Sequence, residues 1–104
     1  VSTTLDLIRA MGWVTPDQYR DSPRATPDQL TRFHTPDYIA ALMRAEAEQR
    51  VSEADRARHH IGAHGNPLYR EVFSRPATGA GGTLLAAELT RRGGIVHVPG
   101  GGTH

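Results

Sequence analysis

The sequence predicts an α/β fold, mostly helical within these residues and carrying one clear strand. Three observations lead there. Ile95-Val96-His97-Val98 is a short run with three β-branched residues, the composition of a buried strand. Pro99 stops it, and Gly100, Gly101 and Gly102 turn the chain where backbone must come close to something. The preceding run, residues 77 to 92, has Leu84, Leu85 and Leu89 and ends on Arg91-Arg92-Gly93-Gly94, basic residues suited to a helix C-terminus and then glycine. Helix, glycine turn and strand make an α/β unit. The carboxyl end of such a strand is where open α/β sheets place active sites. A lone strand has no sheet of its own, so its parallel neighbours are expected from outside this stretch.

The chain opens with a helical stripe, Leu5, Ile8 and Met11, widened by Leu7 and ended by Gly12. One tripeptide then occurs three times, as Thr15-Pro16-Asp17, Thr26-Pro27-Asp28 and Thr35-Pro36-Asp37. Each reads as a helix start: threonine caps free N–H groups, proline fits the first helical position, and aspartate suits the positive end of the dipole. Gln18 and Gln29 complete capping-box patterns in the first two. The first start leads only to a short turn before Pro23. The second predicts a brief helix over residues 27 to about 33, with Leu30 and Phe33 inward. The third predicts the clearest helix, residues 36 to about 49. Its apolar face is Ile39, Leu42, Met43 and Ala47, with Arg44, Glu48 and Arg50 toward water. Ala40, Ala41 and Ala45 supply helix propensity without demanding burial.

Ser52 with Asp55 marks another helix start, and the polar segment to His60 predicts a short exposed helix. Residues 61 to 67 form a loop, signalled by Gly62, Gly65 and Asn66-Pro67. Apolar residues return at Leu68, Tyr69, Val72 and Phe73. The small residues Gly79, Ala80, Gly81 and Gly82 suit a helix that must pass close to another backbone.

Composition narrows the function classes. A chain of 104 residues has room for one small domain with a modest core, and only six aromatics make a self-sufficient one doubtful. Net charge is +1 with histidines neutral, which gives no support for a nucleic-acid or anionic-membrane partner. The absence of cysteine excludes disulfides and thiolate metal sites. No run reaches membrane-spanning length and no signal-peptide pattern is visible, so a cytoplasmic protein is expected. The chain begins with Val1 and stops at the first histidine after the glycine turn. Residues 1–104 are therefore expected to be a partial domain, truncated at both ends.

Six histidines invite a metal reading. His59-His60-x-x-x-His64 contains an i,i+4 pair, but the pair straddles Ile61-Gly62, where the helix should end, and no glutamate follows His60. A solvated polar segment is the plainer reading. His34 reads as a packed or capping histidine, and His97 as a buried, hydrogen-bonded one. The glycine loop has no Gly-Lys-Ser/Thr ending, which weakens a phosphate-binding reading. His104, at the strand's carboxyl end, is the candidate general acid/base.

The order of these pieces resembles the N-terminal third of the histone deacetylase superfamily, in particular bacterial acetoin-utilisation-type and other deacetylase-like amidohydrolases. Thr4-Leu5-Asp6-Leu7-Ile8 resembles the helix after that family's first strand. The run from Ala25 to His34 resembles its short helix ending in histidine, and Thr35-Pro36-Asp37-Tyr38-Ile39 the continuation. Gly65-Asn66-Pro67-Leu68-Tyr69 resembles its Asp-Asn/Cys-Pro-x-Phe loop, and Gly81-Gly82-Thr83 its Gly-Gly-Ser/Thr helix. Pro99-Gly100-Gly101-Gly102-Thr103-His104 resembles the approach to its paired histidines.

The resemblance implies an arginase/deacetylase-type three-layer α/β/α fold. It implies zinc-dependent hydrolysis of an acetyl- or acyl-amide, such as acetyl-lysine or an acetylated polyamine. It makes His104 the first histidine of a proton-moving pair, with Gly65, Asn66, Pro67, Gly101 and Gly102 in the substrate-binding loops. Two departures matter. The second histidine, the zinc ligands (an Asp-x-His pair and a later aspartate) and the transition-state tyrosine all lie beyond this chain, so it is expected to be inactive alone. The family's substrate-gripping aspartate is replaced by Gly65, which favours a small acylated amine over a peptide. The rival reading is a small non-catalytic helical interaction module, distinguished by whether the isolated chain melts cooperatively.

Overall fold

Each Thr-Pro-Asp segment opens a helical turn in the computed structural model of this chain, which describes residues 2–63 and 65–101. The elements in order are α1 (Ser2–Ala10), a 3-10 turn (Pro16–Gln18), α2 (Pro27–Leu30), α3 (Pro36–Glu48), α4 (Glu53–His59) and α5 (Ser74–Thr90). The caps form as their residue types require. The Gln18 side chain accepts from the Thr15 N–H at 2.9 Å, and Gln29 and Thr26 bond reciprocally at 2.9 and 3.3 Å. Ser52 Oγ accepts from the Asp55 N–H at 3.0 Å. At the end of α1, Gly12 lies at φ 67°, the Gly12 N–H bonds the Arg9 carbonyl and the Trp13 N–H bonds that of Ile8. That pair of bonds is a Schellman closure built on a left-handed glycine.

The core lies where α3 meets the 61–73 segment and the start of α5. Ala41, Ala45, Ile61 and Val72 form one buried cluster, with Tyr38, Leu42, Val51 and Leu68 packed on it. Ile39, Phe73 and Ala77 form the second, which Leu30 joins. The buried face of α3 is therefore Ile39, Ala41 and Ala45 rather than the expected Ile39, Leu42, Met43 and Ala47. Leu42 is half-buried, and Met43 and Ala47 are exposed. Alanines win the face because a methyl leaves space for the larger Ile61 and Val72 to reach the helix. Arg44 does more than face water: it holds Asp55 through two bonds of 3.0 and 3.1 Å and ties α3 to α4.

Three further expectations are corrected. Helix α2 ends at Leu30, and Phe33 is 90% exposed instead of inward. Helix α5 starts at Ser74, ahead of Pro76, whose missing N–H costs nothing in a first turn. Most consequentially, no strand forms among the described residues. Residues 95–98 are irregular, Ile95 is 99% exposed, and His97, expected to be buried, is exposed too. A strand is defined by its pairing, and among the described residues no second strand pairs with this segment to take its N–H and C=O groups.

The small residues of α5 do what their size suggested. The Ala25 N–H donates to the Ala77 carbonyl at 2.9 Å. A Cβ on Gly81 would fall onto the Pro23 carbonyl, and one on Gly82 would come within 2.5 Å of Ser22 Oγ. Thus the segment leading into α2 runs directly over α5.

Candidate functional site

Two stretches carry the candidate site residues. The first is the loop after α4. It leaves the helix through His60, left-handed at φ 57°, and its next residue, Ile61, is completely buried. Gly62 follows at φ 73° and Gly65 at φ 83°. The Gly62 N–H donates to the Asn66 carbonyl at 2.8 Å, and the Asn66 N–H to that of Ala63 at 2.9 Å. Asn66 does not aim its amide outward: Asn66 Nδ2 donates to the His60 carbonyl at 3.1 Å. Gly65 and Pro67 are exposed, and no atom lies within 4 Å of where a Gly65 side chain would begin.

The second stretch is the glycine turn after Pro99. The Gly101 N–H bonds the Val98 carbonyl at 3.1 Å, and the turn lies on α5. A Cβ on Gly79 would come within 2.7 Å of the Gly100 carbonyl, and one on Gly101 within 3.5 Å of Thr83 Oγ1. Gly102 and His104 lie outside the described residues, as does His64 of the histidine cluster. Beside the turn is an open cleft of about 390 Å³, lined by Ser22, Arg24, Glu71, Ser74, Arg75, Thr78, Gly79 and Gly100. A longer apolar groove of about 500 Å³ runs along α1, α5 and residues 95–100. Gly65, Asn66 and Pro67 line neither of these two spaces.

Glu46, which the sequence does not single out, and Asp37 and Asp55, which it marks only as helix-start residues, hold these pieces in place. Glu46 Oε2, reaching from α3, accepts from the N–H groups of Phe73 and Ser74 at 2.9 and 2.8 Å and so caps α5. Those bonds, that of Ser74 foremost, hold the Glu46 carboxyl below its ordinary value. Asp37 is held low first by the Thr35 hydroxyl and then by Arg58, 2.7 Å away. Asp55 is held low first by the Arg44 guanidinium. His59 is half-buried between α4 and α3, its ring 5.6 Å from that of Tyr38, which also stacks on His34 at 5.5 Å. His34 is thus packed, as expected. The sequence signal for Glu46 is faint, since its partners lie 27 and 28 residues away.

Zinc is the group implied by the resemblance. Among the described residues no three His, Asp or Glu side chains gather in a way that could hold a metal, so these residues do not fit the ion by themselves. No helix among them is long and apolar enough to cross a membrane.

Comparison with known proteins places these residues in a wider set. The family model described as histone deacetylase domain matches residues 1–104. Acetoin utilization protein AcuC from Staphylococcus aureus strain MSSA476 is 28% identical over 104 residues, covering 97% of this chain and 26% of that protein. The proteins of the same name from strains MW2 and COL match at the same identity and coverage. The chain therefore spans about a quarter of the length of the curated relatives it matches. No solved structure gives a significant match.

Proposed function

The chain belongs to the histone deacetylase domain family, and on that premise we propose that the whole protein hydrolyses an acetyl- or acyl-amide, with a small acylated amine as substrate in preference to an acetyl-lysine peptide. The observation that carries this reading is the family match over the full 104 residues. The substrate preference rests on Gly65, which leaves open space where the family pattern has a carboxylate that grips peptide backbone.

In this reading the chain's own residues supply position and one proton carrier. The Gly65-Asn66-Pro67 loop forms a wall of the substrate site, and Gly101 and Gly102 bring backbone close to the reacting amide. His104, following them, moves a proton at the scissile bond. Zinc, when held by residues of the remaining three-quarters of such a protein, would polarise the amide carbonyl. The 104 residues alone are proposed to be inactive, because the family's ligand pattern, Asp-x-His, does not occur in them.

The test is acetate release by the whole protein from an acetylated polyamine and from an acetyl-lysine peptide. Release from the polyamine at the higher kcat/KM supports the reading, and no release from either overturns it. His104→Ala should slow release by roughly 10²–10⁴-fold, the usual range for a proton-transfer group. An unchanged rate removes His104 from the chemistry.

A further inference from the structure

We infer that Arg56 is a positioning residue, tethering the Gly65 loop so that it meets substrate already shaped; the inference rests on the reading of that loop as a wall of the substrate site. Among the described residues of this loop, His60, Gly62 and Gly65 are left-handed. Glycine adopts this region freely, so of the three only His60 depends on its surroundings to stay there. Ile61, wholly buried, fixes the base of the loop, and the Asn66 amide closes it onto the His60 carbonyl. These contacts set the ends of the turn. The peptide between Gly62 and Ala63 is held from both sides: the Ala63 N–H donates to the His60 carbonyl at 3.2 Å within the turn, and from helix α4 Arg56 Nη1 donates to the Gly62 carbonyl at 2.8 Å. A charged donor makes this bond stronger than a neutral one.

The approach depends on glycine. A Cβ on Gly62 would lie 3.2 Å from Arg56 Nη2, so the guanidinium packs against the bare α-carbon as well as bonding its carbonyl. Arg56 makes no ion pair among the described residues, unlike Arg44 and Arg58 on the same α3–α4 junction. Its guanidinium thus bonds a loop carbonyl and not a carboxylate. At the far end, Gly65 presents open backbone. A loop preset in this way loses little freedom when substrate arrives, so the tether acts on binding more than on the chemical step.

The experiment uses the whole protein with Arg56→Met and Arg56→Lys. Hydrogen exchange is followed in the peptide spanning residues 61–67, and steady-state kinetics with an acetylated polyamine. In Arg56→Met, exchange should rise about tenfold, as expected for loss of a local restraint. KM should rise several-fold with kcat within about twofold and the melting temperature unmoved, and Arg56→Lys should recover part of the KM. Unchanged exchange in Arg56→Met overturns the tether. A loosened loop with unchanged KM overturns its role in positioning. If the wild-type protein releases acetate from no acetylated amine, the deacetylase reading falls separately, and the exchange measurement still decides whether Arg56 holds the loop.

Discussion

Gly65 and Gly81 show how one residue type serves opposite ends. At Gly81 the absent side chain is filled by neighbouring backbone: the Pro23 carbonyl and the Ala25 N–H occupy the space. Gly81→Ala should therefore destabilise the protein by more than the usual cost of a surface change, about 2 kcal/mol or more, because backbone has to move. A denaturant melt of the variant checks this, and a neutral result would mean that the 23–25 segment does not lie on α5. At Gly65 nothing occupies the space. Aspartate tolerates left-handed backbone better than most residues, so Gly65→Asp should fold and return a carboxylate to the loop. In the whole protein it should raise kcat/KM for an acetyl-lysine peptide more than for a small acetylated amine. Equal or opposite effects on the two substrates remove the position from substrate choice. The sequence marks both glycines as places of constraint, yet only the spatial neighbours separate a packed glycine from an open one.

At the level of elements, what was legible is what is local. Thr26 with Gln29 and Ser52 with Asp55 are contacts between residues three apart, and a left-handed Gly12 closing α1 depends on its own turn. These are written in residues close along the chain. Two features were not local. The face of α3 is decided by Ile61 and Val72, which arrive from a loop and from the lead into α5, so alanines are buried where longer side chains were expected. The strand at 95–98 is a relation between segments, and composition alone cannot provide the second one. The α3 correction separates the two readings by measurement. Ile39→Ala should cost roughly 2–5 kcal/mol and Met43→Ala less than about 0.5 kcal/mol in a denaturant melt. Comparable losses at both positions would restore the face expected from periodicity.

Across the whole molecule, the described residues are elongated, 50 × 29 × 22 Å, with a radius of gyration of 16.4 Å against about 13 Å for a compact chain of this length. Its core is correspondingly small, and polar ties add to the docking between helices. Asp37 and Asp55 join α3 to α4, through Arg58 and Arg44, and Glu46 joins α3 to α5. All three carboxyls lie below their ordinary values in the folded state. The sign follows from linkage: a group with a depressed folded value contributes stability that is fully present above its unfolded value. That contribution is lost as pH falls through the folded one. The melting temperature should therefore hold steady from neutral pH down to about 5 and decline below about 4, modestly, because the partners Arg58 and Arg44 are exposed to solvent. Glu46 is the sharpest test because its oxygens cap a helix rather than pair with an exposed arginine. Glu46→Gln keeps an acceptor but removes the charge, so the variant should melt lower than wild type at neutral pH, with the gap closing as pH approaches the acid limit. A gap that stays constant from neutral to acid pH would show that the Glu46 charge does not hold α5 against α3.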